Sequence, residues 1–148
     1  MVTWVTLLAG LAGGIIALAG QQWGTYRANR TRAGELLLEQ CAQFIALSHD
    51  FRNRAWEETV LGQSGRVDAW DVSGHRLAMA RIQILCRDPG VLAAVKEMHE
   101  SGTAYGGHLR RGDVSDGELR ALRERNKASI ETFTTESARV VRRRLGAI

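Results

Sequence analysis

An unbroken uncharged segment, VTWVTLLAGLAGGIIALA, occupies Val2 to Ala19 of the 148-residue chain. At about 1.5 Å per residue it would form a helix of roughly 27 Å, close to the hydrocarbon thickness of a bilayer. Trp4 and Trp23 stand near its two ends, where aromatic residues of membrane interfaces are enriched. The segment therefore predicts one transmembrane helix over residues 1–20.

Two other interpretations of this segment stay open. The triplet Ala17-Leu18-Ala19 resembles a signal-peptide cleavage site, although no basic residue precedes the apolar run. A helix buried in a soluble core is the other interpretation. It is disfavoured because a chain this short rarely buries a helix that is apolar on every side.

The charges that follow the segment predict its orientation. Arg27, Arg30 and Arg32 lie just after it, and no arginine or lysine precedes it. Positive residues accumulate on the cytoplasmic flank of a span, so the N-terminus is expected outside and the chain from Gln21 onward in the cytoplasm. Residues 21–35 form a predicted basic juxtamembrane stalk. The predicted membrane-interface residues are Trp4, Trp23, Arg27, Arg30 and Arg32.

Small residues form two adjacent rows within the predicted span. Gly10 and Gly14 make a GxxxG, and Ala9, Gly13 and Ala17 make the second row. This spacing lets two helix backbones approach closely, although glycine and alanine are also common in spans generally. The rows predict a homo-oligomer packed through the membrane, with the lipid bilayer as its surroundings.

Residues 36–148 predict one cytoplasmic helical domain. Alanine, leucine, arginine and glutamate dominate, there is one proline, and no run alternates as a strand would. The fold class expected is all-α: an N-terminal transmembrane helix followed by a small antiparallel bundle of about four helices. The first cytoplasmic helix should continue from the span to Leu61. Its predicted inner face is a stripe of residues spaced by four and three: Leu37, Cys41, Phe44, Ser48, Phe51 and Ala55. Leu38, Ile45 and Trp56 are predicted to broaden this stripe.

Three further helices are predicted after this one. The second covers about Trp70 to Arg87 and is expected at the centre of the domain, because apolar residues surround it. Asp88-Pro89 supplies an N-cap and a first-turn proline for the third helix, which should reach about Glu100. A glycine-rich loop is predicted over Gly102 to Gly112. Ser115-x-x-Glu118 is a capping box that opens the fourth helix.

The residues that could carry chemistry form no recognisable constellation. His49, His75, His99 and His108 are scattered and have no cysteine or carboxylate at a metal-ligand spacing. No glycine-rich phosphate motif is present. We therefore expect no catalytic residues, no metal, no cofactor and no enzymatic activity. The two cysteines suit buried free thiols in a reducing compartment, although one disulfide stays open.

The chain has eighteen arginines, two lysines and a net charge of +4. A second basic cluster, Arg139, Arg142, Arg143 and Arg144, lies near the C-terminus. It could stabilise the end of the last helix, bind anionic lipid or an acidic partner, or contact nucleic acid phosphates. With four antiparallel helices the last one returns toward the bilayer, which favours lipid over nucleic acid.

In outline the whole chain resembles small single-span proteins of actinobacterial genomes, plasmids and phages. The resemblance rests on Val2 to Ala19, on Arg27 to Arg32, and on RLAMAR at 76–81 followed by Asp88-Pro89. It implies a bacterial single-pass membrane protein with an arginine-rich cytoplasmic helical domain, and no activity. The function expected is a membrane-anchored, self-associating scaffold or recruitment module for an unidentified protein partner. The alternative is an oligomeric pore-forming or membrane-perturbing effector of the immunity or exclusion type.

Overall fold

The computed structural model describes the backbone of residues 4–112 and 115–146, and the side chains of this range except those of residues 4–20, 23 and 27. This part of the chain consists of four α-helices and contains no strand, which confirms the all-α helical bundle. The helices are α1 (Trp4–Val60), α2 (Val72–Leu85), α3 (Pro89–Arg111) and α4 (Asp116–Leu145).

Among the residues that the structure describes in full, no helix is long and apolar enough to cross a bilayer. The predicted span over residues 1–20 lies outside the described side chains.

Local sequence signals account for the helix ends. The chain leaves α1 through Gly62, whose positive φ of 67° suits glycine. Asp71 caps α2 by accepting a hydrogen bond from the Gly74 N–H, and Asp88 caps α3 in the same way through the Gly90 and Val91 N–H groups. The predicted capping box of Ser115 and Glu118 is present at the start of α4.

The four helices alternate in direction along the bundle. The start of α3 meets the late part of α4 where Asp88 contacts Arg139. Further along, Glu97 of α3 pairs with Arg125 of α4, so these two helices are antiparallel. Gly34, in α1, lies against the last residues of α4. The C-terminus of α4 therefore sits at the end of the bundle where α1 enters it.

One stripe of α1 supplies the centre of the core. The predicted inner residues of α1 are all buried, whereas Leu38 and Trp56, predicted to broaden the stripe, are exposed. Two apolar clusters stack along the bundle. The larger one includes Phe44, Ile82 and Phe133 from three helices, and the smaller one joins Phe51 to Val67 and Tyr105.

The predicted helix α2 is present but two residues shorter at each end, and one prediction about it is wrong. It begins at Val72 rather than Trp70, because Trp70 belongs to the preceding connection, where its indole N–H donates to the Leu47 carbonyl at 2.8 Å. It is also not the central helix. Its side chains Leu77 and Ile84 are 49% and 79% exposed, and only one face packs against the bundle.

The predicted glycine-rich loop over Gly102 to Gly112 is also wrong. These residues continue α3 to Arg111, and the helix ends only at Gly112, which has a positive φ of 68°. A helical glycine costs about 1 kcal/mol relative to alanine. Here the cost is offset by packing, because Tyr105 is buried and Gly106 lies directly against the Phe51 ring.

The part of α1 before the bundle is solvated. Each described side chain from residue 21 to residue 32 is exposed, and burial begins at Gly34. We refer to residues 21–33 as the stalk. Both free cysteines, Cys41 and Cys86, are buried inside the bundle, and burial is the main cause that raises the pKa of Cys41 to about 12.

Gly34 is expected to permit the close approach of α4 to α1. A Cβ at this position would lie 3.0 Å from Leu145 Cδ2 and 3.2 Å from Arg144 Cβ. We predict that Gly34→Leu lowers the free energy of unfolding by about 1–3 kcal/mol, because it overpacks this contact. Urea denaturation followed by circular dichroism measures the change.

Gly24→Leu is the matched control for this substitution. It lies on the same helix, and a Cβ there would meet nothing within 4 Å. Its free energy of unfolding should equal or exceed that of the wild type. Equal stability of the Gly34 and Gly24 variants would contradict the contact.

Candidate functional site

A cavity of about 140 Å³ lies between the two apolar clusters of the bundle. It is lined by Phe51 of α1, by Val67 and Trp70 of the connection to α2, by His75 of α2, and by parts of α3 and α4. The volume is close to that of a cavity that admits one benzene-sized molecule. No aspartate or glutamate lines it. Residues of all four helices thus line the cavity, which is partly open to solvent and has no carboxylate in its lining.

The aromatic wall of the cavity is a connected set of rings. The Trp70 ring lies 5.0 Å from the Phe51 ring and 4.9 Å from the His75 ring, measured between centroids. On its other side His75 stacks on Phe44 at 4.5 Å. Contacts at these distances hold rings in fixed orientations. The wall is therefore ordered by packing and by the hydrogen bond that holds Trp70 to α1.

His75 is buried in this wall as a neutral imidazole. It is 6% exposed, and burial, reinforced by the nearby His99 and Arg76, lowers its pKa to about 4. The ring of His99 stands 6.1 Å away on α3. The ring nitrogens of His75 make no hydrogen bond with any residue that the structure describes. A neutral imidazole facing a cavity can donate or accept one hydrogen bond at each nitrogen.

Glycines of α3 form a second wall. Gly102, Gly106 and Gly107 lie along one side of the helix and line the cavity. A Cβ at Gly106 would lie 3.3 Å from the Phe51 ring, so a larger residue there would displace this ring. At Gly102 the nearest atom to a Cβ would be Asn126 Nδ2 at 3.5 Å, an ordinary contact distance. The segment predicted as a loop is therefore a close-packed helical wall.

A buried polar network adjoins the cavity at Asn126. Asn126 Nδ2 donates to Ser101 Oγ at 3.2 Å, and Ser101 Oγ lies 2.8 Å from Ser129 Oγ. The Ser101 hydroxyl donates to the Met98 carbonyl, and the Ser129 hydroxyl lies in donating distance of the Asn126 carbonyl. The lone pairs of Ser101 Oγ can therefore accept from the Asn126 amide. Asn126 is 2% exposed, and its Oδ1 has no hydrogen-bond partner in the described part of the chain.

Two arginines stand at the rim of the cavity. Arg76 and Arg110 line it and are exposed. Arg110 also approaches the Asp68 carboxylate at 3.8 Å, but both side chains are mostly solvated. A surface pair of this kind contributes little to stability, so the guanidinium groups can bind another anion.

The predicted C-terminal basic cluster divides into two pairs. Arg139 donates to Asp88 and Glu136, both at 2.8 Å, and so joins α4 to the N-cap of α3. Burial acts to raise the pKa of Asp88, but hydrogen bonds from the Val91 N–H and Arg139 lower it below its usual value. Arg144 donates to the Leu85 carbonyl at 3.0 Å, at the end of α2. These two arginines hold helix ends together.

Arg142 and Arg143 are the exposed pair of the cluster. They lie in the last turn of α4 and make no ion pair with a described residue. Cations in this position also stabilise the C-terminal end of a helix. They lie along an open stretch of α4 surface with Thr134, Thr135 and Ala138.

The other predicted site residues belong to the N-terminal part of α1. Arg30 and Arg32 are exposed on the stalk. The side chains of the remaining ones lie outside the described residues: Trp4, Ala9, Gly10, Gly13, Gly14, Ala17, Trp23 and Arg27.

The cavity was not predicted from the sequence. His75 and His99 are far apart in the chain, and their approach depends on how α2 and α3 pack. One signal could have indicated the glycine wall, because Gly102 and Gly106 have the spacing of a helical face. Among the described residues, no group of three or more His, Cys, Asp or Glu could hold a metal ion.

The sequence matches no protein-family model, and neither a curated protein nor a solved structure shows significant similarity to it.

The buried His75 predicts a pH dependence of stability. Its pKa in the folded chain, about 4, lies below the ordinary value of 6.5, so the unfolded chain binds one more proton between these values. Stability should therefore fall as the pH decreases from about 6.5 toward 4. Urea denaturation at several pH values measures the slope of the free energy of unfolding against pH, which gives the number of protons taken up on unfolding. Substitution His75→Phe should reduce this number by about one.

Substitution of an exposed histidine of the same bundle, His49→Gln, is the control and should keep the slope of the wild type. An unchanged slope in the His75 variant would show that another group causes the pH dependence.

Proposed function

We propose that this protein is a membrane-anchored, self-associating helical module without catalytic activity, whose bundle recruits a protein partner at the cytoplasmic face. The observation that carries the proposal is the stalk. It belongs to one continuous helix, Trp4–Val60, and its described side chains from residue 21 to residue 32 are all exposed. A helix that is polar all round spans solvent between two bodies. One body is the bundle, and the uncharged segment Val2 to Ala19 is suited to anchor the other end in a bilayer.

The length of the stalk separates the bundle from the proposed membrane. From Gly20 to Gly34 a helix rises by about 21 Å, more than twice the Debye length of about 8 Å at physiological ionic strength. Arg142 and Arg143 lie near the level of Gly34, because the neighbouring Arg144 packs on it. On an upright stalk their attraction to lipid headgroups is screened. An acidic surface of a partner protein is therefore the better ligand for this pair.

Self-association is supported by the small-residue rows of the apolar segment. Gly10 and Gly14, flanked by Ala9, Gly13 and Ala17, have the spacing that allows close helix pairing. Paired anchors would bring two stalks side by side and present two bundles to one partner. A bivalent arrangement of this kind raises avidity without new contacts.

Alkaline carbonate extraction of membranes tests the anchor. The full-length protein should stay in the membrane pellet. Gly10→Arg combined with Gly13→Arg should move it to the supernatant, because each arginine near the centre of a span costs about 2.5–3.5 kcal/mol. The control with alanine at both positions should remain in the pellet. Extraction of the wild type, or retention of the arginine variant, would contradict a transmembrane anchor.

Native mass spectrometry of the detergent-solubilised protein tests self-association. The wild type should be a dimer or larger. Gly10→Leu combined with Gly14→Leu should shift it toward the monomer, because the bulkier side chains prevent close approach. The matched control is Ala12→Leu combined with Ala19→Leu, which in an ideal helix fall on the opposite side.

The same measurement separates the two functions expected from the sequence. A dimer or small assembly supports the recruiting module. A closed ring of five or more copies that conducts ions in a planar bilayer would overturn it in favour of a pore-forming effector. A wild type that is strictly monomeric would contradict self-association.

A further inference from the structure

We propose that two copies of this protein pair through the surface that α1 and α2 share on one side of the bundle, with α1 of each copy packed against α2 of the other. The inference deepens the proposed self-association and rests on it for the parallel orientation of the two chains. We call this surface the α1–α2 face. It consists of six exposed residues, three from each helix: Leu36, Glu39, Ala46, Leu77, Arg81 and Ile84.

One hydrogen bond joins the two helices in the middle of this face. Arg81 of α2 donates to Gln40 Oε1 of α1 at 3.2 Å. Trp70, just before α2, donates to the carbonyl of Leu47, further along α1. Residue numbers therefore rise along α2 as they fall along α1, so the two helices are antiparallel. Arg81 lies at the height of Gln40.

Apolar side chains surround this contact on the outer surface. Leu77 and Ile84 lie one turn before and one turn after Arg81, and they are 49% and 79% exposed. Leu36, one turn before Gln40, is 45% exposed. Because the helices are antiparallel, Leu36 and Ile84 lie at the same end of the face. Scattered apolar residues are ordinary on a surface, whereas adjoining ones indicate a surface that associates.

The charges of this face identify its partner. Glu39 lies on α1 and Arg81 on α2, and α2 contains no acidic residue. Neither side chain makes an ion pair with a residue that the structure describes. A face that is negative on one helix and positive on the next is complementary to a copy of itself turned by a twofold rotation. An acidic partner helix would instead be repelled by Glu39, so a second copy is the better occupant.

Parallel anchors fix the direction of the twofold axis. Two spans that enter the bilayer from the same side are related by an axis along α1, and rotation about this axis leaves each residue at its own height. Arg81 of one copy therefore stands at the height of Glu39 of the other, because it lies beside Gln40 in its own chain. Leu77 stands close to the height of the small side chain of Ala46.

The small-residue row of the apolar segment has the same helical phase as this face. Both belong to the single helix α1. Gly10 and Ala46 are 36 residues apart, which is about ten turns of an ideal helix. Pairing of the anchors through this row would therefore turn the α1–α2 faces of the two bundles toward each other.

Exchange of the two charges tests the pairing. The full-length chain carries Gly10→Leu and Gly14→Leu, so that only the bundles associate. Two differently tagged copies are solubilised together, and the fraction of one that is captured with the other is measured. Arg81→Glu on both copies, or Glu39→Arg on both, should lower capture about tenfold, because like charges then face each other.

The mixed combination is the decisive one. Arg81→Glu on one copy and Glu39→Arg on the other restore two attractive pairs between the copies, so capture should return to that of the unsubstituted bundle. Within either chain alone the two positions still carry like charges. Restored capture therefore reports a contact between copies.

Two leucines of α1 provide a matched pair of variants. Leu36→Gln removes apolar area from the face and should lower capture about fivefold. Leu38→Gln is the control, because Leu38 is exposed to a similar extent, 48%, but is turned by about 200° around the helix. Its capture should equal that of the unsubstituted bundle. Circular dichroism shows whether both variants are folded.

The outcomes separate this inference from pairing of the anchors. Absence of capture at about 100 μM, although the wild type is a dimer, would show that only the anchors pair and would overturn the inference. Equal capture in the like-charge and mixed combinations would also overturn it. A wild-type dimer that survives the two glycine substitutions but is weakened by Arg81→Glu would support the α1–α2 face and contradict pairing through the anchors.

Discussion

Two aromatic side chains on one face of α1 hold the bundle together. Phe44 stacks on His75 of α2 at 4.5 Å and meets the edge of Phe133 of α4 at 5.3 Å. Two turns later, Phe51 packs on Trp70 and on Tyr105 of α3. Each ring thus contacts two other elements of the chain. Because bulky buried rings cannot shift independently in a close-packed interior, the positions of the other three helices depend on this pair.

The cavity is a consequence of the same packing. At the cavity, α3 contributes Gly102, Gly106 and Gly107 beside the larger Met98 and His99, and α4 contributes Asn126. Filling this space with an apolar side chain would be simpler for stability alone, since voids forfeit dispersion contacts.

The arginines of the chain serve different physical purposes. Arg139 and Arg144 join helix ends within the bundle, whereas Arg142 and Arg143 remain available at the surface. Those of the stalk lie on a solvated helix that leads away from the bundle. In the proposed arrangement the stalk holds the bundle at a distance from the bilayer.

The sequence by itself determined the features that depend on neighbours within a turn or two: four helices, their caps at Asp88 and Ser115, and the inner stripe of α1. It could not determine the site. Gly102, Gly106 and Gly107 led to the prediction of a loop, whereas the structure packs Gly106 against the Phe51 ring within a continuous helix. His75, Arg110 and Asn126 come from three different helices and meet only in the tertiary structure. Periodicity and capping act over a few residues, whereas a cavity depends on the mutual packing of helices far apart in the chain.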